Sequence, residues 1–378
     1  MKKLFALLLL SSAILPLWAL SAQPNEQEHY LYGQVSSIID TEYSIFQGRE
    51  VEIQILEIKL PDGSFKRDVY NDYTPLEIGD KVYFSPAYNP ETNTYDYFIK
   101  EVDRLGTMWF VFIIFVILYL GVAGKKGLRS LIALVVSIAS VYFILLPALQ
   151  AGYDPLYVGV GISALILGFA IFITHGLSII SLVSYIGSIL AIMITLGFAL
   201  ISFTVGDISG TGSEYASTLG LLYGPTLDIK RLVLAGIIIG ILGVLDDVAV
   251  MQAALVREFA IDMRESSAWQ LFSRAMKVGR EHAAALVNTL VLAYTAVALP
   301  IFLIVFAPLR QSTQGIQEVP LAMHLSNELF VIEFLRSIIG SFGLVLTVPI
   351  VTVLAVIFYR KYPPQGDTSA PHSHTHHS

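Results

Sequence analysis

The chain has 378 residues, of which 55% are apolar and only 14% are charged, whereas soluble domains carry nearer a quarter charged residues. Cysteine is absent, which excludes disulfides, thiolate nucleophiles and cysteine-ligated zinc. The net charge is −7, and residues 23–104 contain sixteen acidic against seven basic side chains, so this segment repels nucleic acid and we expect no nucleic-acid partner.

The N-terminus has the pattern of a secretory signal. Lys2 and Lys3 precede an apolar run over residues 4–20, and small residues follow it. The same pattern is compatible with an uncleaved anchor helix. Both alternatives place the chain from residue 23 onward outside the cytoplasm, and we assign residues 1–22 to the signal peptide.

Residues 23–104 predict a small all-β extracytoplasmic domain. Val51, Ile53 and Ile55 alternate with polar residues, which is the period of a half-buried strand. The turn signal at residues 61–63 follows that strand, and about five short strands in all favour a small barrel or sandwich. The segment carries no nucleophile–base pair or phosphate loop, so we expect a binding or gating domain whose ligand is a protein partner.

Residues 105–360 predict an all-α membrane helical bundle of about seven transmembrane helices. A spanning helix needs about 20 apolar residues. Basic side chains follow the first, fifth and seventh apolar segments. Because cytoplasmic loops are enriched in Lys and Arg, we expect the N-terminal domain outside and the C-terminus inside. The seven segments are 107–123, 129–149, 155–174, 177–202, 231–255, 283–306 and 337–359.

A further helix is predicted in the inner loop between the fifth and sixth segments. Ser267 and Gln270 form a capping-box pattern, and Arg274, Lys277 and Arg280 supply positive charge. Two alternatives are an amphipathic helix on the cytoplasmic leaflet and a helix that docks a partner. The apolar or small residues that recur at helical spacing are Trp269, Phe272, Met276 and Gly279.

The fifth segment contains a stripe of small residues that ends in a carboxylate. Gly236, Gly240, Gly243 and Asp247 share one helix face, and such stripes let a neighbouring helix approach closely. We therefore expect Asp247 to point into a helix contact or cavity, with Asp246 turned about 100° away. An intramembrane carboxylate is a functional-site candidate by default, although it can also be hydrated near the surface. The stripe predicts that Asp247 matters more than Asp246.

The sixth segment contributes Asn288 at roughly the depth of Asp247. We predict a polar cluster of Asp246, Asp247 and Asn288, with Gln252 and His282 at its cytoplasmic mouth. The cluster would bind or couple an ion or solute. The alternative is that Asn288 merely hydrogen-bonds a neighbouring helix.

Two outer features have simpler interpretations. The loop over residues 203–230 is rich in Gly, Ser and Thr, and it is either a surface loop or a segment that dips back into the bundle. Glu333 and Arg336 form a helical i,i+3 pair, which we interpret as structural.

The tail over residues 361–378 is predicted to be disordered. Its histidines are weak candidates for metal ligands because their spacing is irregular, and the metal role stays open. They are His372, His374, His376 and His377.

The fifth and sixth segments resemble the YibE/F family of bacterial multi-pass membrane proteins. The likeness rests on the run GVLDDVAV at residues 243–250, on Arg280-Glu281-His282, and on NTLVLAY at residues 288–294. The resemblance implies a location in the bacterial cytoplasmic membrane. It implies no particular reaction.

We therefore hypothesise a transporter or permease of unknown substrate, with the acidic pair coupling to protons or cations. The alternative is a non-transporting sensor, assembly factor or partner-binding protein that acts through the outer domain. No catalytic constellation is present in the sequence, so we expect no enzyme activity and predict no cofactor. The expected partners are the lipid bilayer and an unknown solute or ion.

Overall fold

The computed structural model describes residues 30–46, 49–90, 92–212, 215–306 and 320–364. The chain divides into two compact units between Gly124 and Lys125. The first contains a β-barrel and the start of a long helix, and the second is all helical. The predicted signal peptide and the four tail histidines lie outside the described residues.

The small all-β domain is confirmed as a closed five-stranded barrel. Its strand order is β1-β2-β3-β5-β4, in which β3 and β5 are parallel and the other pairs are antiparallel. This is a Greek-key barrel with the architecture of OB folds. The strands are β1 (Leu31–Phe46), β2 (Arg49–Lys59), β3 (Phe65–Asn71), β4 (Lys81–Asn89) and β5 (Thr94–Val102).

The predicted strand through Ile53 and Ile55 is present as β2, but its buried face is the opposite one. Ile53 and Ile55 are only half-buried, whereas Gln54, Leu56 and Ile58 are 4%, 0% and 0% exposed. The sequence pattern misleads because the barrel accepts a polar side chain, Gln54, among its core positions. A buried amide is tolerated where its hydrogen bonds are satisfied.

Gln54 fixes the loop between β3 and β4. Its amide donates to the carbonyl of Leu76 at 3.2 Å, and the Leu76 backbone N–H donates to Gln54 Oε1 at 2.8 Å. Asn71 Nδ2 also donates to Gln54 Oε1, at 2.9 Å. Leu76 is thereby held in the barrel core, where it is 3% exposed.

Most of the second unit consists of long apolar helices. Gly124, at the boundary of the two units, has φ 56° and ψ −140°, so helical geometry is interrupted there within α1. The helices are α1 (Leu105–Ser140), which continues through a π-helical turn (Val141–Leu145) into α2 (Leu146–Gln150), then α3 (Pro155–His175), α4 (Ile179–Val205), α5 (Ala216–Tyr223), α6 (Ile229–Asp262), α7 (Ala268–Val297), α8 (Leu299–Phe306), α9 (Leu321–Leu325) and α10 (Glu328–Lys361).

Five helical stretches among the described residues are long and apolar enough to cross a membrane, and a bent helix pair can make a sixth. The first of them, Leu105–Gln150, has 46 residues, or about 69 Å at 1.5 Å per residue. That is about twice the roughly 30 Å of a hydrocarbon core. The break at Gly124 lies between the predicted segments 107–123 and 129–149.

The sixth predicted segment differs most from the structure. The inner-loop helix and the segment 283–306 are not separate, because α7 runs without interruption from Ala268 to Val297 and then bends by 58° into α8. Ser267 and Gln270 do form the predicted capping box at its start.

The inner part of α7 packs on protein. Leu271 and Ala275 are fully buried in a cluster that also contains residues of α6 and α10. Arg274, Lys277 and Arg280 lie on its exposed side. Of the predicted apolar residues, Trp269 is 72% exposed and Gly279 is buried, so contact of this helix with the lipid leaflet stays a prediction.

Close helix packing depends on glycines that the sequence analysis did not single out. A Cβ atom at Gly159 of α3 would lie 2.5 Å from Ala235 Cβ of α6. At Gly187 of α4 it would lie 2.6 Å from Val351 of α10. The missing Cβ atoms let α3 approach α6 and α4 approach α10 closely, and α3 and α6 are two of the helices that line the candidate site.

Candidate functional site

Three helices of the second unit line an open cavity that reaches both carboxylates of the acidic pair. It has a volume of about 420 Å³ and is lined by the part of α1 after Ser130, by α3 and by α6. Small-molecule sites have volumes of roughly 300–1,000 Å³. Asp246 and Asp247 both contribute to its wall.

The acidic pair is oriented by the packing of α6. Leu245 and Val248, on either side of the pair, are 0% and 1% exposed because they face other helices. Asp246 is half-buried and its carboxylate accepts a hydrogen bond of 3.0 Å from the Asp247 backbone N–H, whereas Asp247 is exposed. The two carboxylates therefore differ in environment, and Asp246 is the more enclosed.

The structure adds His175 to the site, which the sequence analysis treated only as part of a short turn. His175 is the last residue of α3 and lines the cavity with Thr174. It lies within electrostatic range of Asp247 and of Lys126. The sequence could have indicated this residue, because the predicted topology places His175 and Asp247 near the same side of the membrane.

Polar and apolar side chains occupy opposite ends of the cavity. Along α3, Ile166 and Leu167 line one end, and Thr174 and His175 lie about 10 Å further along the helix. On α6 the order is the same, with Ile239 and Leu242 before Asp246 and Asp247. On α1, which contributes Ser130 before Ile138, the order is reversed, and Val141 of the π-helical turn lies at the apolar end. Ser137 also lines the wall, but its hydroxyl donates to the carbonyl of Ala133 within α1.

The remaining members of the predicted cluster do not line this cavity. Gln252 is 5% exposed and joins three helices, because its amide donates to Thr352 Oγ1 at 2.7 Å and to the carbonyl of Ala275 at 3.3 Å. Asn288 is exposed and His282 half-buried on α7. The predicted grouping of these residues with the acidic pair is therefore corrected.

The predicted glycine stripe makes few helix contacts in the described chain. A Cβ atom at Gly236 or Gly243 would have nothing within 4 Å, and at Gly240 it would meet only the Tyr294 hydroxyl at 3.1 Å. The expectation that these glycines pack a neighbouring helix is wrong for the described chain, since α6 packs through its opposite face. Gly243 instead lines the cavity beside the acidic pair.

The described residues contain no group of three or more His, Asp or Glu side chains that could hold a metal ion. Asp246, Asp247 and His175 share the cavity without forming such a group. The metal role of His372, His374, His376 and His377 stays a prediction because these residues lie outside the described part of the chain.

Ion pairs and hydrogen bonds tie together the other ends of the helices. Arg231 of α6 pairs with Asp154, the N-cap of α3. Glu328, in the first turn of α10, accepts a hydrogen bond of 2.6 Å from the Gly210 backbone N–H. The predicted pair of Glu333 and Arg336 is present at 3.1 Å. The Glu328 hydrogen bond holds the loop over residues 203–230 to α10, whereas the first ion pair joins α3 to α6 and the second lies within α10.

The Gly-rich outer loop contains a short helix, α5. Ile208 and Ala216 are 3% and 4% exposed, whereas Leu221 and Leu222 are 88% and 71% exposed. The loop is therefore anchored at its start and presents apolar side chains at its tip. Residues 213 and 214 lie outside the described part.

A family model described as YibE/F-like protein matches residues 111–361, which is about two thirds of the chain. No curated protein and no solved structure matches the chain. The matched range includes the cavity, the acidic pair and all helices from α3 to α10.

Proposed function

The chain belongs to the YibE/F-like family, and from the cavity beside its acidic pair we propose that it is a membrane transporter or permease that couples to protons or cations. The described helical stretches that are long and apolar enough to cross a membrane support this proposal. Asp246 and Asp247 are the coupling residues in this proposal, and His175 is the third titratable group of the site.

The observation that carries the proposal is that two adjacent carboxylates face the cavity without a basic partner. Among the described residues, neither Asp246 nor Asp247 is within 4.0 Å of a Lys, Arg or His nitrogen. Charges at membrane depth are costly, and those that remain are paired, face water-filled cavities or mark ion pathways. A proton or a cation entering the cavity supplies the missing countercharge.

The proposal includes a membrane arrangement. Seven spans follow if the stretch Leu105–Gln150 counts as two at Gly124 and the bent pair of α7 and α8 counts as one. The barrel then lies outside a bacterial cytoplasmic membrane after signal cleavage, and the C-terminus lies inside. Asn288 and His282 belong to the exposed polar side of α7 in this arrangement. The protein is no enzyme in this proposal and needs no cofactor.

The test is ion-driven flux in reconstituted vesicles. The purified full-length chain is incorporated into liposomes that contain a pH-sensitive dye, and inward gradients of Na⁺, K⁺ or methylammonium are imposed in turn. We expect at least one cation gradient to change the internal pH faster than in protein-free liposomes. A reversed pH gradient should reverse the cation movement, because coupling links the two fluxes.

The matched control is Glu258→Gln, which removes an exposed carboxylate of α6 that is paired with Arg257 at 2.8 Å and does not line the cavity. This variant should show the flux of the wild type. Wild-type vesicles that behave like protein-free liposomes with every cation would contradict ion coupling.

One observation favours the second candidate, a partner-binding or sensing protein. Tyr88 and Tyr95 are paired across β4 and β5, with ring centroids 5.6 Å apart, and are 54% and 62% exposed. Exposed aromatic pairs are typical of binding surfaces. If cells depend on Tyr88 and Tyr95 but tolerate loss of both cavity carboxylates, this candidate replaces transport.

A further inference from the structure

The cavity that carries the proposed function also has a shape and polarity that select its substrate. Its acidic end contains the carboxylates of Asp246 and Asp247, and its other end is formed by apolar side chains from three helices, among them Ile138, Leu167 and Leu242. A proton or a bare metal ion uses only the acidic end. The apolar end needs another explanation.

The cavity volume distinguishes a bare ion from a larger ligand with an apolar body. A water molecule occupies about 30 Å³ of liquid, so a cavity of about 420 Å³ is far larger than a site for one ion with a few waters. Water in an apolar cavity contributes no favourable binding free energy, whereas burial of an apolar ligand is favourable by roughly 25 cal/mol per Å² of apolar surface removed from water. The cavity therefore fits a ligand with an apolar body.

The charge of the ligand follows from the acidic end. Two carboxylates without a basic partner disfavour an anion and favour a group that donates hydrogen bonds and carries positive charge. Thr174 and Ser130 line the same end and add hydroxyl oxygens that accept hydrogen bonds from an ammonium group. An ammonium group matches these acceptors better than a metal ion does, because Asp246, Asp247 and His175 line the cavity without forming a group that could hold a metal ion.

We infer that the cavity binds a small organic cation with an apolar body, its ammonium group at Asp246 and Asp247 and its body between α1, α3 and α6. This inference rests on the proposed function for its biological meaning, because it names the substrate class of a transporter. The binding itself does not require that transport occurs.

Three probes of related structure test the inference on the purified full-length chain by isothermal titration calorimetry. 2-Phenylethylammonium has both the charge and the apolar body, 2-phenylethanol has the body without the charge, and methylammonium has the charge without the body. The wild type should bind 2-phenylethylammonium at least about tenfold more tightly than either other probe, since each lost interaction costs about 1.4 kcal/mol or more.

Two variants locate the site. Asp246→Asn combined with Asp247→Asn should weaken 2-phenylethylammonium to the level of 2-phenylethanol. Ala170→Phe places a ring into the cavity from α3 and should weaken 2-phenylethylammonium while leaving methylammonium unchanged. Size-exclusion profiles and Tm values show whether each variant is folded, and the comparison of the three probes on the wild type needs no variant.

Equal binding of 2-phenylethylammonium and 2-phenylethanol, or unchanged binding in the folded double variant, would overturn the inference. Proton-coupled flux without binding of 2-phenylethylammonium would overturn the substrate class and leave the proposed function standing. Binding as predicted without any flux would leave the site standing and remove transport.

Discussion

Gln252 Nε2 donates a hydrogen bond of 2.7 Å to Thr352 Oγ1, and this bond joins α6 to α10 in the interior of the bundle. The same amide also reaches the carbonyl of Ala275 on α7. Both acceptors are protein groups, and Gln252 does not line the cavity. We therefore assign Gln252 to the stability of the three-helix junction.

Gln252→Ala should lower the free energy of unfolding by about 1–2 kcal/mol, because it removes hydrogen bonds and leaves a small void. Thermal unfolding of the detergent-solubilised protein measures the change. The control is Asn288→Ala, at an exposed position on α7, which should leave the Tm unchanged. A Gln252→Ala protein with wild-type Tm and lost flux would instead return Gln252 to the functional site.

Gly279 and Gly243 give a matched test of which glycines pack helices. At Gly279 a Cβ atom would lie 2.6 Å from Val348 Cγ1 and 2.8 Å from Gln252 Oε1, whereas at Gly243 it would have nothing within 4 Å. Gly279→Ala should destabilise the bundle by about 1–3 kcal/mol through overpacking. Gly243→Ala should not lower the Tm, since alanine also has the higher helix propensity. The reverse order of Tm values would restore the glycine stripe as a packing face.

The loop residue Leu76 should determine the stability of the barrel. Leu76→Ala removes a side chain that is 3% exposed, and buried leucines lose about 2–5 kcal/mol on truncation. Limited proteolysis of the full-length protein should then cleave the barrel faster. Ile78→Ala, at a position 68% exposed in the same loop, is the control and should leave the cleavage rate unchanged. Equal rates for both variants would show that Leu76 is not needed in the core.

The proposed orientation can be measured by single-cysteine labelling, because the natural chain has no cysteine. A membrane-impermeant maleimide applied to intact cells should label a cysteine at Ser64 in the barrel turn. It should not label cysteines at Lys126 or Glu265 until the membrane is opened. Labelling at Glu265 in intact cells would contradict the number of spans before that position.

The sequence predicted the classes of both units because composition and periodicity act locally. The apolar segments, the capping box at Ser267 and the individual strands depend on neighbours in the chain, whereas the closure of the strands into a barrel depends on distant pairings such as that of Leu31 with Phe84. The buried face of α6 could not be predicted in this way, because it depends on which helices lie beside it. Small residues at Gly236 and Gly240 indicated a contact, yet the contacts form at Gly159 and Gly187.

The site was predicted in part for the same reason. Asp246 and Asp247 were found because carboxylates are rare in apolar segments. His175 was missed because its proximity to Asp247 depends on the packing of α3 against α6, in which Gly159 approaches Ala235. The sequence analysis expected Asp247 to point into the bundle, whereas Asp246 is the more enclosed carboxylate in the structure.

The carboxylate pair therefore gives an ordered prediction for transport. Asp246→Asn should reduce cation-driven flux more than Asp247→Asn. Water can compensate for the loss of an exposed carboxylate more easily than for the loss of an enclosed one. Asparagine preserves the shape of aspartate, so both variants should retain the wild-type Tm. Loss of folded protein with either change would indicate a structural role.

The most direct measurement is the flux of the double variant, Asp246→Asn with Asp247→Asn, in the dye-loaded liposomes. The wild type and Glu258→Gln should both show a cation-driven change of internal pH. The double variant, reconstituted in equal amount and with unchanged Tm, should fall to the rate of protein-free liposomes. Wild-type flux in the folded double variant would contradict coupling through the acidic pair.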